Sequence, residues 1–331
     1  MKDDLNQLIS HFFRHEYGRL VAVLTRMLGS SGLDLAEDAV QSAILKALET
    51  WRFGEVPENP SGWLFRVAKN RALDLVRREE TRKRLEPEVI ERSTAISQEI
   101  PGAEISDSLL RMILVCCSPD IPEASRIALT LKILCGFSTR EIADALLATK
   151  ESVHKRIQRA KQSFRRSDLE QILVEKDLEE RIRSVNRIVY LVFNEGYAST
   201  HSDEHVRRDL CGEAIRLNKI LLGCPGRKGG TLALQALMYL QAARLDTRTG
   251  DCGEIILLED QDRSRWDANM IREGLKCLES SVTWEGITTY HIEASIAAHH
   301  CISPSMGDTD WIGESGPHCQ DQFEANLRWI A

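Results

Sequence analysis

Gly136–Arg166 reads GFSTREIADALLATKESVHKRIQRAKQSFRR. Ser138 stands three residues before Glu141, the spacing of a capping box, in which the Ser hydroxyl and the Glu carboxylate satisfy the opening amides of a helix beginning near Thr139. Ile142, Ala143, Leu146 and Leu147 recur at helical spacing, Ala-Thr-Lys interrupts them, and Thr149 offers a cap for a second helix. This is the pattern of a helix-turn-helix. Val153 and Ile157, four residues apart, form the expected buried side of the second helix, while Lys155, Arg156, Arg159, Lys161, Arg165 and Arg166 supply positive charge around the remainder. From Lys150 to Arg166 there are seven basic residues and one acid, Glu151. Such a helix suits a DNA major groove, meeting base edges with its first turns and phosphates with its later ones. The competing reading of the segment alone is a solvated basic face.

Upstream, Asp107–Cys117 and Glu123–Leu134 read as two helices separated by SPDIP, the apolar support for the helix-turn-helix. Residues 81–106 contain Pro87, Pro101, Gly102, many acids and few large apolar groups, and read as a flexible linker. The first segment is amphipathic. Leu5–Leu28 carries the stripe Leu8, Phe12, Phe13, Tyr17, Leu20, Val21, Leu24 and Met27, and Gly29-Ser-Ser-Gly32 stops it. A second helix starts at Asp34 with Leu35, Ala39, Val40, Ala43, Ile44, Ala47 and Leu48 expected inward, and Asp34, Glu37 and Asp38 in its first turn, where acids suit the positive helix end. Gly54, Pro57 and Pro60 make Arg52–Pro60 a loop. Ser61–Glu80 resumes as a helix with Trp63, Leu64, Val67, Ala68, Leu73 and Val76 inward and Arg66, Lys69, Asn70, Arg71, Arg77 and Arg78 outward. Rings beside donors are what an unpaired nucleic-acid strand requires, although Trp63 and Phe65 also suit a core.

The 331 residues suffice for two or three domains, and a net charge of -7 excludes a globally basic nucleic-acid coat. Nine scattered Cys without a Cys-x-x-Cys fit buried thiols in a reducing cytoplasm better than disulfides or structural zinc. The start lacks the charge order of a signal peptide, and no run of about 18 apolar residues suggests a membrane span. A cytoplasmic protein is expected.

With these motifs in order, the first 170 residues resemble a bacterial RNA polymerase sigma factor of the extracytoplasmic-function, sigma-70-like group. DLAEDAVQSAILKALETW resembles the region 2 helix that docks on the polymerase clamp, and NPSGWLFRVAKNRALDLVRRE the part of region 2 that meets the melted minus-ten element. The helix-turn-helix resembles the minus-35 reader of region 4. The resemblance implies polymerase contacts at Asp34, Glu37, Asp38 and Gln41. It implies minus-ten contacts at Arg52, Asn59, Trp63, Arg66, Lys69, Asn70, Asp74, Arg77 and Arg78, with Arg52–Asn59 holding a flipped base. Minus-35 contacts would fall to Lys150, Glu151, Ser152, Lys155, Arg156, Arg159 and Lys161.

The expected organisation is all-α: region 2 over 1–82, a linker over 83–106, region 4 over 107–168, and a helical extension over 169–331. In the last, Glu170–Gly196, Val206–Leu222, Gly230–Arg244, Arg265–Glu279 and Thr288–Cys301 read as helices in antiparallel pairs, without a strict 34-residue repeat. This half resembles the long extension of a subgroup of these factors, described as tetratricopeptide-like, through FNEGY at Phe193–Tyr197, LCGEAIRL at Leu210–Leu217 and LLEDQDRSRWD at Leu257–Asp267. In the last motif an acid–arginine network capped by Trp266 is expected. The end resembles the family at Asp308–Trp311 and then departs from it, which implies a truncated or frame-shifted C-terminus.

Catalytic readings are weaker. Glu259, Asp260 and Asp262 have Arg263 and Arg265 beside them to neutralise them, and neither His201/His205 nor His299-His300-Cys301 supplies a full metal-ligand set. CPGRKGG, Cys224–Gly230, lacks the Gly-Lys-Ser/Thr order of a nucleotide loop and is expected to be a turn. The leading expectation is a non-enzymatic initiation subunit that needs no cofactor or metal, with core RNA polymerase and promoter DNA as partners. A regulatory protein, or an intramolecular contact with the extension, would control it. The alternatives are a stand-alone helix-turn-helix regulator with a sensing C-terminal half, and a helical scaffold.

Overall fold

In the computed structural model the described residues are 2–51, 56–83, 102–169, 172–173, 177–198, 206–226, 228–250, 254–284 and 286–303. Twelve α-helices lie among them, joined by turns and short 3-10 segments. The chain divides into two compact units, Met1–Leu178 and Glu179–Ala331.

In the first unit α1 (Lys2–Leu28) is followed, after a 3-10 turn at Ser30–Gly32, by α2 (Leu33–Trp51) and then α3 (Pro60–Lys83). The apolar stripes of the three meet: Leu20, Val21, Leu24, Leu33, Ala36, Val40, Ala43, Leu64, Phe65, Ala68 and Val76 are all buried. Trp51 joins the ends of the helices, stacked on Phe13 at 5.7 Å and tilted against Trp63 at 5.5 Å. Leu48, expected inward, is instead 46% exposed because the helical period carries it past the α1 and α3 contacts.

The second half of this unit consists of α4 (Gly102–Cys116), α5 (Glu123–Ile133), α6 (Thr139–Ala145) and α7 (Lys150–Phe164). The first turns of α4 take residues 102–106 that were expected in the linker, and Arg26 of α1 donates to Asp107 of α4 at 2.7 Å. Helix α1 therefore packs on both groups of helices. Gly18 sits against the Leu134 carbonyl so closely that a Cβ there would lie 2.3 Å from the oxygen. Gly136, at φ 67°, turns the chain beside Arg14, and the Arg14 guanidinium lies 4.7 Å over the Phe137 ring and pairs with Glu141. The two expected modules thus fold as one unit; most of the linker lies outside the described residues.

The second unit comprises α8 (Leu178–Tyr197), α9 (Arg208–Leu221), α10 (Gly229–Ala242), α11 (Ala268–Ser281) and α12 (Thr289–Ile302). The expected stripe of α8, Ile182, Val185, Ile188, Val189, Val192 and Phe193, is buried throughout. Helix α10 is apolar on most sides because it is central: Ala236, Leu237 and Leu240 pack with Leu278 of α11 and Ala294, Ala297 and Ala298 of α12. Gly229 and Gly230, expected in a turn, open α10. In FNEGY, Gly196 lets the start of α9 approach, and Tyr197 stacks on Phe193 at 5.8 Å while Arg248 covers its ring at 3.9 Å and Arg244 donates to its hydroxyl at 2.9 Å.

The expected acid–arginine network has a different wiring. Asp262 accepts from the Ser264 amide at 3.0 Å and Asp267 from the amides of Asn269 and Met270, so these acids cap helical turns. Arg263 donates to the carbonyls of His300 and Ser303 and lies 4.9 Å over Trp266, whose Nε1 donates to Thr247 at 3.0 Å. Glu259 and Asp260 remain exposed. The indole is the anchor, as expected, and the acids answer backbone amides, which a neighbouring arginine could not do for a helix start.

Candidate nucleic-acid interface

The helix-turn-helix forms through the anticipated local chemistry. Ser138 Oγ accepts from the Glu141 amide at 3.2 Å, Glu141 Oε2 accepts from the Ser138 amide at 2.8 Å, and Thr149 Oγ1 accepts from the Ser152 amide at 3.1 Å. Between the helices Leu147 adopts φ 48° and points to solvent, 59% exposed, so the inward stripe of α6 ends before it. A left-handed residue is what turns α6 into α7 within a few positions. Val153, Ile157, Ala160 and Phe164 anchor α7, leaving Lys150, Glu151, Lys155 and Arg159 exposed and Ser152 and Arg156 half-buried. Lys155 pairs with Glu151 at 2.6 Å across one turn. Among the described residues Lys150, Arg156 and Arg159 have no ion-pair partner. Helix α7 therefore presents uncompensated positive charge on its outer face.

Lys161 stands apart from that surface. It is buried and donates to Asp34 at 2.9 Å and also to Glu37, while Arg165 pairs with Asp34. Glu37 is itself buried and accepts from the Tyr17 hydroxyl at 3.0 Å. Burial pushes against charge on Lys161, but attraction to Glu37 and hydrogen bonds to Glu37 and Asp34 outweigh it and hold its pKa above the ordinary lysine value. For Asp34, burial acts upward, and the hydrogen bonds and charges of Lys161 and Arg165 overcome it and hold the carboxyl below its usual value. Burial and then Glu37's charge raise the Tyr17 phenol well above its usual value, so it stays a neutral donor.

Of the four residues assigned to polymerase by resemblance, Asp38 and Gln41 are exposed, Asp34 is half-buried and Glu37 is buried. Leu45 and Leu48, 61% and 46% exposed, continue the face of Asp38 and Gln41 at intervals of three and four residues. Periodicity alone places Leu48 inward and does not single out Leu45; an apolar arc wider than one packing face is the sequence signal that some of these residues stay open.

On α3, Arg66, Asn70, Asp74, Arg77 and Arg78 are exposed, Lys69 is half-buried, and the first four share one side at helical spacing. Trp63 is half-buried against Trp51, and Phe65 is core. Asn59 accepts from the Gly62 amide at 2.8 Å and so caps the opening of α3. Arg52 lies outside the described residues.

Among the described residues no group of three or more His, Cys, Asp or Glu is placed to hold a metal ion, and no helix is long and apolar enough to cross a membrane. His300 is buried, which lowers its pKa, and burial raises the Cys301 thiol to about 11. His201 and His205 lie outside the described residues. The seven described cysteines are free, five of them buried, as the scattered spacing suggested.

Comparison with known proteins follows the same division. Residues 12–82 match Sigma-70 region 2, residues 111–164 match Sigma-70, region 4, and residues 181–282 match a Family of unknown function (DUF6596). The chain is 37% identical over 285 residues to an uncharacterized protein of Rhizobium meliloti (strain 1021), an alignment covering 84% of this chain and 67% of that protein. It belongs to that protein's family, and it combines sigma-70 region 2 and region 4 domains with an extra C-terminal helical segment of unknown function. The two domains support a sigma-factor-type role in transcription.

Proposed function

We propose that this protein is an initiation subunit of bacterial RNA polymerase, of the extracytoplasmic-function type, without catalytic chemistry of its own. The observation that carries the reading is the exposed positive face of α7 behind a fully capped helix-turn-helix, on a chain that also bears a region 2 domain. In this reading Lys150, Lys155, Arg156 and Arg159 meet the minus-35 duplex. Arg66, Asn70, Asp74 and Arg77, together with Arg78, Lys69 and Trp63, meet the opened minus-ten strand. Asp38, Gln41, Leu45 and Leu48 form the polymerase-facing side of α2. Glu37 and Lys161 are both taken up by one internal contact, so neither is free for an outside partner in this arrangement.

The C-terminal unit is, in this proposal, a regulatory or partner-binding segment. The test is promoter-specific transcription by core polymerase with the full chain and with residues 1–178, together with co-purification of each with core polymerase. Retention on core polymerase and start-site selection by the full chain support the reading. Operator binding without any association with polymerase would replace it with a stand-alone helix-turn-helix regulator.

A further inference from the structure

A cleft of about 410 Å³ opens in the second unit between the first half of α8 and the starts of α10 and α12. One wall is the α8 face bearing Arg183, Asn186 and Arg187, with Glu179 at its end; the others are Gly229–Thr231 and Gly286–Tyr290. Among the described residues no side chain caps the start of α10. Lys228 provides no side-chain cap, and the first amide with an intrahelical acceptor is that of Leu232, which donates to Lys228 O at 2.8 Å. The amides of Gly229, Gly230 and Thr231 thus point out of the helix unanswered by any described group, at the positive end of its dipole.

A buried side chain supplies a second, independent sign of a ligand. Asn186 is 5% exposed, and its Oδ1 accepts from Thr231 Oγ1 at 3.2 Å. Its Nδ2 lies beside Gly230, 3.9 Å from where a Cβ would stand, and has no hydrogen-bond partner among the described residues. This donor is not sealed in the core: it opens onto the cleft, where the oxygen of a ligand can accept from it. Arg183, exposed on α8, has no ion-pair partner among the described residues either. Donors therefore line the cleft from a helix start, from the open amide of Asn186 and from a guanidinium, and the charge opposing them in the lining is Glu179. The remaining wall is apolar: Ile287 is 38% exposed and Tyr290 half-buried. Gly230 keeps this space open, since a Cβ there would come within 3.3 Å of Thr288 Cγ2.

We propose that this cleft binds a small organic anion, with its phosphate or carboxylate head on the amides of Gly230 and Thr231, Asn186 Nδ2 and Arg183, and its apolar part on Ile287 and Tyr290. Two helix-start amides with a cation are a general anion receptor, and the volume falls in the ordinary range for small-molecule sites. The opening at Lys228–Thr231 does not need the nucleotide-loop order, because the cation comes from α8 across the cleft. The inference does not depend on a role in transcription; binding alone reads it out.

The full chain is titrated by calorimetry, at matched ionic strength, with phenyl phosphate, benzoate and inorganic phosphate. Saturable one-to-one binding of phenyl phosphate or benzoate is expected, and the tighter of the two identifies the head group. Arg183→Gln should weaken it about tenfold through loss of a charge-assisted contact, while Arg272→Gln on the exposed face of α11 leaves it unchanged. Ile287→Ser should remove the advantage of phenyl phosphate over inorganic phosphate. Absence of saturable binding by both aromatic anions overturns the proposal, as does equal affinity in wild type and Arg183→Gln with unchanged melting temperatures.

Discussion

Lys161 of α7 sets its ammonium 2.9 Å from Asp34 and in contact with Glu37, two acids one turn apart on α2 and more than 120 residues away in sequence. This contact joins α2 to α7. Removing the cation leaves Glu37 buried with the Tyr17 hydroxyl as its remaining donor in this cluster. Lys161→Ala is therefore expected to destabilise the first unit by about 2–3 kcal/mol, below the full cost of breaking a buried pair because Asp34 is half open to water. Urea unfolding measures it. Lys161→Met with Glu37→Gln should recover part of the loss, since the stranded charge is then gone, and strict additivity of the two changes would contradict this account.

The same cluster sets a pH signature. Asp34's pKa is lowered by folding, so its contribution is present above the unfolded value near 4 and is lost as pH falls through the folded value. Lys161's is raised, so its contribution is present below about 10.5 and is lost as pH rises through the folded value. The difference in urea midpoint between wild type and Asp34→Asn should stay flat from about pH 5 to 9 and close in acid. A difference that widens below pH 4 would contradict the assignment.

Gly18 lies inside α1, where alanine would ordinarily favour the helix by about 1 kcal/mol. Here the added methyl would meet the Leu134 carbonyl, part of the backbone and unable to swing aside. Gly18→Ala should cost a net of about 2 kcal/mol and loosen α1 from the end of α5, seen as faster amide exchange around Leu134. A stabilised variant would show that the approach is looser than the geometry indicates.

On α7, Arg159 is exposed and without an ion-pair partner among the described residues, whereas Lys155 is held by Glu151. If α7 reads a duplex, Arg159→Ala should lower the slope of log affinity against log salt by about 1 when it serves a phosphate, or relax one base preference when it serves an edge. Unchanged affinity, slope and preference in Arg159→Ala together with Arg156→Ala would remove α7 as the reader.

Asp38 and Leu48 lie on the open side of α2. Asp38→Arg and Leu48→Ser should each weaken association with core polymerase while the melting temperature stays within a degree or two, because neither opens a core. Pull-down against core polymerase separates this from a purely structural role: loss of folding along with binding would assign α2 to architecture.

Local chemistry was legible in the chain by itself. Ser138 with Glu141, Thr149 with its amide partner, the stripe Val153–Ile157, and the α8 stripe from Ile182 to Phe193 depend on neighbours a few residues away, and their spacing alone selects a helix and its buried side. The order of basic and acidic helices, and with it the family resemblance, followed from the same short-range patterns. Which charges remain available to a partner was decided only in three dimensions. Lys161 and Arg159 look equivalent in the sequence, two cations on one helix, but their angular positions send the first toward Asp34 and Glu37 and the second toward solvent. The joining of two modules about Gly18 and Leu134, the solvent face of Leu48, and the meeting of Asn186 with the start of α10 likewise depend on contacts between distant segments. Burial and the pairing of charges are properties of those contacts, and helical periodicity carries no record of what a helix will pack against.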